Sequence, residues 1–432
     1  MANILRVLYF LGRAMRRPYW DEARLRRFQE KRLRLVVENA YRSVPFYHEK
    51  FKEVGIKPSD IRGLDDLRKL PVVRKSELKG VDAAKLVSAE FDVERLKVNR
   101  TSGSTGQPFT TYLSRVEDDW RKSIYMRANI SCGQRLRDRW VVVTAPHHFS
   151  DTTSIQRKLG VFAQTCVSIF DGIDKQIELI SQARPDVLDG YSGALLLIAK
   201  EVNRQGLGLI RPRIVFGTAD LMDVVSRRFM EEVFGAPYYD QFGCAEIDRS
   251  AWQCPERVRY HMDVDSVVME FVDEDGEGVS AGERGEVVYT SLFNFAMPFI
   301  RYAVGDVGIP SDDECPCGRR LPLMEVVEGR RDSLLVLPDG RLLSPRVVTN
   351  AMSRFFEKVV QYRVVQRKVD LFEVFVRVRE GVDTGVFERE LIEHIKRVLG
   401  LGDDVTIAVR FVDDVPLSKS GKLMSVVSEL KG

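Results

Sequence analysis

The chain predicts an α/β fold in more than one domain: a large N-terminal domain of α/β sheets with an added antiparallel β subdomain, then a small α+β C-terminal domain. Three observations predict it. From residue 97 to about 300, short β-rich runs alternate with helical runs, the pattern of a sheet covered by helices. Within that span, Val267–Val272 and Glu286–Ser291 read as antiparallel strands joined by the acidic, Gly-containing turn Asp273–Gly285. A composition break at Glu328-Gly329-Arg330-Arg331-Asp332 then opens a second block, which places the domains at 1–331 and 332–432. At 432 residues the chain is too long for one simple core.

In chain order, residues 21–60 carry Arg, Lys, Glu and Leu at helical spacing and read as amphipathic helices around Val44-Pro45-Phe46-Tyr47. Pro71-Val72-Val73-Arg74-Lys75 reads as a strand or loop leading into a short helix. Trp140–Thr144 and Ile214–Phe216 are continuous apolar runs, as buried strands require. Asp174–Ala183 and Gly193–Gln205 have helical periodicity. Beyond the break come a hairpin turning at Pro338-Asp339-Gly340 and a helix near Val347–Phe356. Strands near Tyr362–Val365 and Phe372–Val378, a helix over Phe387–Leu399 and a strand over Thr406–Phe411 complete that unit.

Composition narrows the function classes. A net charge of +3 is too small for this length to imply a nucleic-acid partner. No apolar run approaches the roughly 20 residues that span a bilayer. The first 20 residues mix apolar side chains with Arg6, Arg13, Arg16 and Arg17, too many charges for a secretory signal. Such a segment can lie on an anionic membrane as a basic amphipathic helix, but a solvated helix packed on the protein body is the favoured expectation. Six cysteines in a chain of this size do not form a disulfide framework, and the cytoplasm is the expected compartment. Cys132, Cys166 and Cys244 are scattered and read as core thiols.

The segment Thr101-Ser102-Gly103-Ser104-Thr105-Gly106-Gln107-Pro108 lies between two apolar runs, and six of its eight residues are Ser, Thr or Gly. It can turn backbone N–H groups and hydroxyls toward a phosphate, although surface turns share this composition. It lacks the Gly-Lys-Ser/Thr ending of the ordinary NTPase loop. Four further segments follow in order: Asp240-Gln241-Phe242-Gly243-Cys244-Ala245-Glu246, Arg301–Asp306, Gly329–Asp332 and Pro416-Leu417-Ser418-Lys419-Ser420-Gly421-Lys422.

Taken together, the five segments resemble the adenylate-forming superfamily of acyl-CoA synthetases. Within it they resemble the phenylacetate–CoA ligase branch, with its capsular-polysaccharide and coenzyme synthetase-like relatives. The resemblance covers nearly the whole chain, including Ser43–Tyr47. It implies attack of a carboxylate on the α-phosphorus of ATP, giving an acyl-adenylate and pyrophosphate, in a site that neutralises the transferring phosphate. It also implies roles: Thr101, Ser102, Gly103, Ser104, Thr105 and Gly106 around the β- and γ-phosphates, and Phe242 on the adenine, flanked by Asp240, Gln241 and Gly243. Glu246 would hold Mg²⁺, a hard cation suited to carboxylate oxygen. Asp306 would accept from the ribose hydroxyls, Arg330 would reach ribose or phosphate, and Asp220 would stand in for the usual Glu before the adenine loop. Lys422 would bridge phosphate and carboxylate as a point charge. The small domain would then rotate about Asp332 so that a second face serves thiolation.

A separate signal lies in the cysteines. Cys254 and His261 precede Cys315-Pro316-Cys317 by about fifty residues, and three thiolates with one imidazole match a closed, structural zinc site. Reduced thiols in a loop beside an ordinary polar histidine are the alternative. His147 and His148 follow the Trp140–Thr144 strand and are candidates to line an acyl pocket.

The stretch Leu335–Pro345 departs from the Gly-Val-Asn-Val-Phe-Pro-like run that CoA ligases of the branch carry after the hinge. Adenylation of an organic acid, aromatic by resemblance, with CoA as acceptor is the leading expectation. An amine, a hydroxyl or a carrier as acceptor, in cell-surface polymer or cofactor metabolism, is the second. A non-catalytic nucleotide binder on the same fold is the third. A homodimer is compatible with all three.

Overall fold

The computed structural model describes residues 3–100, 109–149, 152–206, 208, 210–219, 222–327, 335–343, 345–415 and 425–430. The chain divides into two compact units, the first formed by residues 1–136, 147–161 and 241–326, the second by 137–146, 162–240 and 327–432.

The first unit opens with helices α1 (Ile4–Ala14), α2 (Glu22–Ser43) and α3 (Pro45–Glu53). Asp21 caps α2 by accepting from the Arg24 N–H, and Pro45 starts α3 where no intrahelical N–H is needed. Short pieces follow: β1 (Val73–Arg74), α4 (Lys75–Leu78), α5 (Ala83–Leu86) and the hairpin strands β2 (Lys97–Arg100) and β3 (Thr110–Leu113). Helix α6 (Arg115–Ser131) begins at a capping box in which Ser114 and Glu117 satisfy each other's backbone N–H groups. Its Trp120 ring stacks on Phe293, with centroids 3.6 Å apart.

β4 (Trp140–Thr144) and β5 (Gln164–Ser168) belong to the second unit, while α7 (Ser154–Leu159) lies in the first. α8 (Ile173–Ala183), β6 (Val187–Tyr191), α9 (Ser192–Arg204), β7 (Ile214–Thr218) and α10 (Val224–Phe234) follow. These strands pair in parallel in the order β5-β4-β6-β7, extended by the first residues of β8 (Tyr238–Cys244). Their apolar runs are buried on both faces, as parallel strands covered by helices must be: Val143, Leu188, Phe216 and Tyr238 are sealed from solvent. Burying each such side chain contributes about 1.5–3 kcal/mol. At Gly217 an added Cβ would fall 1.8 Å from the Tyr238 hydroxyl, so only glycine fits there.

β8 continues into the first unit, where Gln241–Cys244 pair antiparallel with β9 (Asp248–Gln253). The antiparallel sheet is completed by β10 (Tyr260–Met262), β11 (Val267–Val272), β12 (Gly285–Ser291), β13 (Tyr302–Ser311) and β14 (Leu323–Val327). Its order is β11-β12-β13-β14-β10-β9, with β1 lying parallel to β13. The expected pairing of Val267–Val272 with Glu286–Ser291 is present, Val267 facing Ser291.

From residue 335 the second unit holds the hairpin β15 (Leu335–Val336) and β16 (Leu342–Leu343), then α11 (Pro345–Ser353). β17 (Val359–Lys368), β18 (Leu371–Val378), α12 (Thr384–Leu399), β19 (Thr406–Phe411) and β20 (Val426–Ser428) finish the chain in a sheet of order β19-β18-β17-β20. Every element read from the sequence in this block is found; β20 is an addition. The core of the small sheet joins Val348, Phe355, Val374, Leu391 and Ile395. Of the three cysteines read as core thiols, Cys132 is buried, but Cys166 and Cys244 are half-buried, because β5 is the edge of the parallel sheet and Cys244 ends β8. Among the described residues, no helix is long and apolar enough to cross a membrane.

Candidate active site and metal centre

The tight connection between β8 and β9 carries the candidate site of the first unit. A bulge falls between Phe242 and Gly243, and a Cβ on Gly243 would lie 2.1 Å from the Asp248 carbonyl oxygen, so glycine is required for the two strands to approach. Gln241 is buried and its Nε2 donates to Asn129 Oδ1 at 2.8 Å, which fixes the strand against α6. Phe242, one residue on, is half-buried and Gly243 is exposed.

Glu246 sits in the turn and is only 1 % exposed. Its Oε1 accepts from the Tyr302 hydroxyl at 2.9 Å and pairs with Lys75 Nζ at 2.8 Å. Its backbone oxygen accepts from the Arg121 guanidinium and, at 3.5 Å, from Asn294 Nδ2. The carboxylate is therefore oriented from two separate elements, α4 and β13, while Arg121 of α6 holds the backbone of the turn. Among the described residues both side-chain contacts fall on Oε1, and a free carboxylate oxygen is the kind of ligand a hard cation takes.

Lys75 escaped the sequence reading. Two-residue β1 pairs Val73 with Tyr302 and Arg74 with Ala303, and that register carries Lys75 to the Glu246 carboxylate. No periodic signal marks a pairing so short between residues more than two hundred apart.

Asp306 lies half-buried on β13, next to Gly305, whose φ of +90° only glycine adopts without strain. Burial, then the charges of Glu246 and Asp306, push the Cys244 thiol far above its ordinary range. The same two carboxylates act on Tyr289, whose phenol is raised first by burial. Glu246, Asp306 and the end of β8 thus share one electrostatic neighbourhood. The His147 and His148 rings stand 4.2 Å apart on an exposed turn.

In the second unit, Asp240 is buried on β8 opposite Gly217. The carboxyl ends of β6 and β7 lie side by side, Tyr191 facing Thr218, and Ser192 Oγ donates to the Thr218 oxygen at 3.1 Å. Open α/β sheets bind ligands outside such strand ends. Residues 101–106, Asp220, Arg330 and Lys422 lie outside the described residues.

Cys254, His261, Cys315 and Cys317 come together as the sequence predicts, their ligand atoms all within 4.8 Å of one another. Cys254 Sγ is 3.5 Å from Cys315 Sγ, and Cys317 Sγ is 3.3 Å from His261 Nε2. The corners of a tetrahedral zinc site with Zn–S of about 2.3 Å are separated by roughly 3.5–3.8 Å, so this cluster fits the ion. His261 lies between Trp252 on β9 and Leu323 on β14, and burial lowers its pKa to about 4, leaving the imidazole neutral as a ligand must be.

One buried feature had no sequence signal. Arg127 of α6 is fully buried against Asp263 and Asp265, pairing with the latter at 2.8 Å. Arg249 Nη2 also reaches Asp263, at 2.9 Å, and the Trp252 indole donates to it at 2.9 Å.

Comparison with known proteins agrees with this geometry. Residues 335–429 match the family model described as the CapK C-terminal domain. The chain is 28% identical to the phenylacetate–coenzyme A ligase of Thermus thermophilus, over 94% of this chain and 96% of that protein. It is 27% identical to the enzyme of the same name from Escherichia coli, over 89% and 90%. The crystal structure of 2-hydroxyisobutyryl-CoA ligase in the postadenylation state superposes with a TM-score of 0.81 at 22% identity, covering 96% of this chain and 91% of that one.

Proposed function

We propose that this chain, similar over nearly its whole length to phenylacetate–CoA ligases, is an AMP-forming ligase of the adenylate-forming kind. It activates a carboxylic acid with ATP and passes the acyl group to CoA. The observation that carries this reading is Glu246: a buried carboxylate, oriented by Lys75 and Tyr302, at the end of β8 and close to Asp306.

In this reading the substrate carboxylate attacks the α-phosphorus of ATP, the bond to the bridging oxygen breaks, and pyrophosphate leaves. Phe242 supports the adenine, and Asp306 accepts from the ribose hydroxyls. Residues 101–106 receive the terminal phosphates, and Arg330 reaches the ribose or the α-phosphate. Glu246 would hold magnesium, and the ion would supply positive charge to offset that of the phosphates. Lys75 keeps the Glu246 carboxylate aimed, and Lys422 meets the pentacoordinate phosphorus as charge accumulates. In the second step the CoA thiol attacks the acyl carbonyl, the acyl–phosphate bond breaks, and AMP leaves with that bond's electrons. Domain 332–432 turns about Asp332 between the steps. Glu246→Gln is expected to slow pyrophosphate release about a hundredfold and to raise the magnesium concentration required, read by titrating the metal at saturating ATP.

The Cys254, His261, Cys315, Cys317 cluster would hold zinc and staple β9 and β10 to the β13–β14 connection. Purified protein should contain about one zinc per chain by elemental analysis. Stripping it with a strong chelator should lower Tm by roughly 5 °C or more. Metal-free protein whose Tm ignores both zinc and chelator would refute the assignment.

The function is tested by acid-dependent pyrophosphate release across aryl, arylacetic and aliphatic acids, with CoA, a simple amine or neither as acceptor. Stimulation by CoA supports the proposal. Stimulation by the amine alone supports a second reading, favoured by one observation: the β15–β16 hairpin turns on Pro338–Gly340 where CoA ligases of the branch carry a different run, in a domain that matches the CapK family.

A further inference from the structure

Helix α1 packs on α6 through one face, Val7, Leu11 and Ala14, with Phe10 set edge-on against Trp120. Arg6 pairs with Asp119 at 2.6 Å, and the Asn3 N–H also donates to that carboxylate, so the helix is pinned to the body. The opposite face is apolar too. Leu5, Leu8 and Tyr9 fall at i, i+3 and i+4, with exposures of 76 %, 40 % and 54 %. Arg13 lies on the same face with its guanidinium 4.5 Å above the Tyr9 ring, exposed Arg16 follows, and Tyr19 adds another exposed aromatic. Neither Arg13 nor Arg16 pairs with a carboxylate among the described residues. The first 35 residues hold ten Arg or Lys against three Asp or Glu, although the whole chain carries only +3. The sequence favours a solvated helix packed on the body; the helix does pack, and its solvated side carries apolar residues.

We propose that this outward face of α1 docks the protein on an anionic lipid surface. Leu5, Leu8 and Tyr9 enter the boundary between headgroups and acyl chains, while Arg13 and Arg16 reach the lipid phosphates. A second copy of the chain is the poorer occupant, because a two-fold contact through this face would set arginines against arginines. Fixing the helix to the body removes the ordering cost that a free amphipathic tail would meet on binding.

The test is co-flotation of the full-length protein with phosphatidylcholine vesicles, pure or containing about one third phosphatidylglycerol. The wild type is expected to float only with the anionic vesicles and to be released by about 0.5 M NaCl. Leu5→Glu/Leu8→Glu and, separately, Arg13→Glu/Arg16→Glu should each lower binding at least about tenfold. All four side chains are exposed, so Tm should not move. Failure of the wild type to bind anionic vesicles overturns the proposal, as does undiminished binding of both variants. A solution dimer that Leu5→Glu/Leu8→Glu dissolves also overturns it, by showing that a second copy covers the face.

Discussion

Replacing Lys422 by alanine is expected to slow acid-dependent pyrophosphate release by roughly a hundred- to a thousandfold, or about 3–4 kcal/mol of transition-state stabilisation. On the proposed mechanism the lysine acts only where charge accumulates, so kcat should fall much more than the KM for ATP rises. The described residues on either side, Asp414 and Ser425, are held within the second unit. Asp414 pairs with Lys200 of α9 at 2.6 Å, and Lys200 also donates to Gln361 of β17. Ser425 Oγ donates to Asp223, the cap of α10, at 3.2 Å. If the small domain uses another face for the second step, Lys422→Ala should convert a supplied acyl-adenylate to thioester at close to the wild-type rate. Equal loss of both steps would place Lys422 in a structural role instead.

The second large effect concerns stability. Arg127→Met should destabilise the protein by about 3–5 kcal/mol, measured by urea unfolding, because it leaves Asp263 and Asp265 buried without their principal cation. Arg249 and Arg17 also touch these carboxylates and soften the loss, but neither lies fully between them as Arg127 does. A cost within about 0.5 kcal/mol would mean that water or a protonated carboxyl takes over the site.

What could be read from the sequence follows from how locally each feature is encoded. The strand Trp140–Thr144 and helix Ile173–Ala183 were legible because a run of β-branched residues and a 3.6-residue period are complete within their own segments. The metal cluster was legible because cysteine is scarce here and two close spacings stand out. β13 was not read as a strand: Gly305, Gly308 and Pro310 interrupt its alternation, and its burial pattern is irregular. Lys75 was hidden because its role depends on the register of β1 against β13. Arg127 looks like any arginine on the polar side of a helix until its carboxylate partners, more than 130 residues away, close over it. Glu246 was found through motif resemblance; of the side chains that aim its carboxylate, Tyr302 lies in the marked Arg301–Asp306 segment, while Lys75 comes from one the resemblance left unmarked.

The most direct test of the central claim is to look for the intermediate itself. Protein at a concentration comparable to its substrates would be mixed with ATP, magnesium and each acid in turn, without CoA, then quenched in acid and analysed by mass spectrometry. The expected result is an acyl-adenylate of mass matching one acid class, approaching one per active site, with pyrophosphate in equal amount, and formed at least about a hundredfold more slowly by Lys422→Ala. ADP and phosphate as products, or ATP left intact with every acid while it still binds, would contradict it.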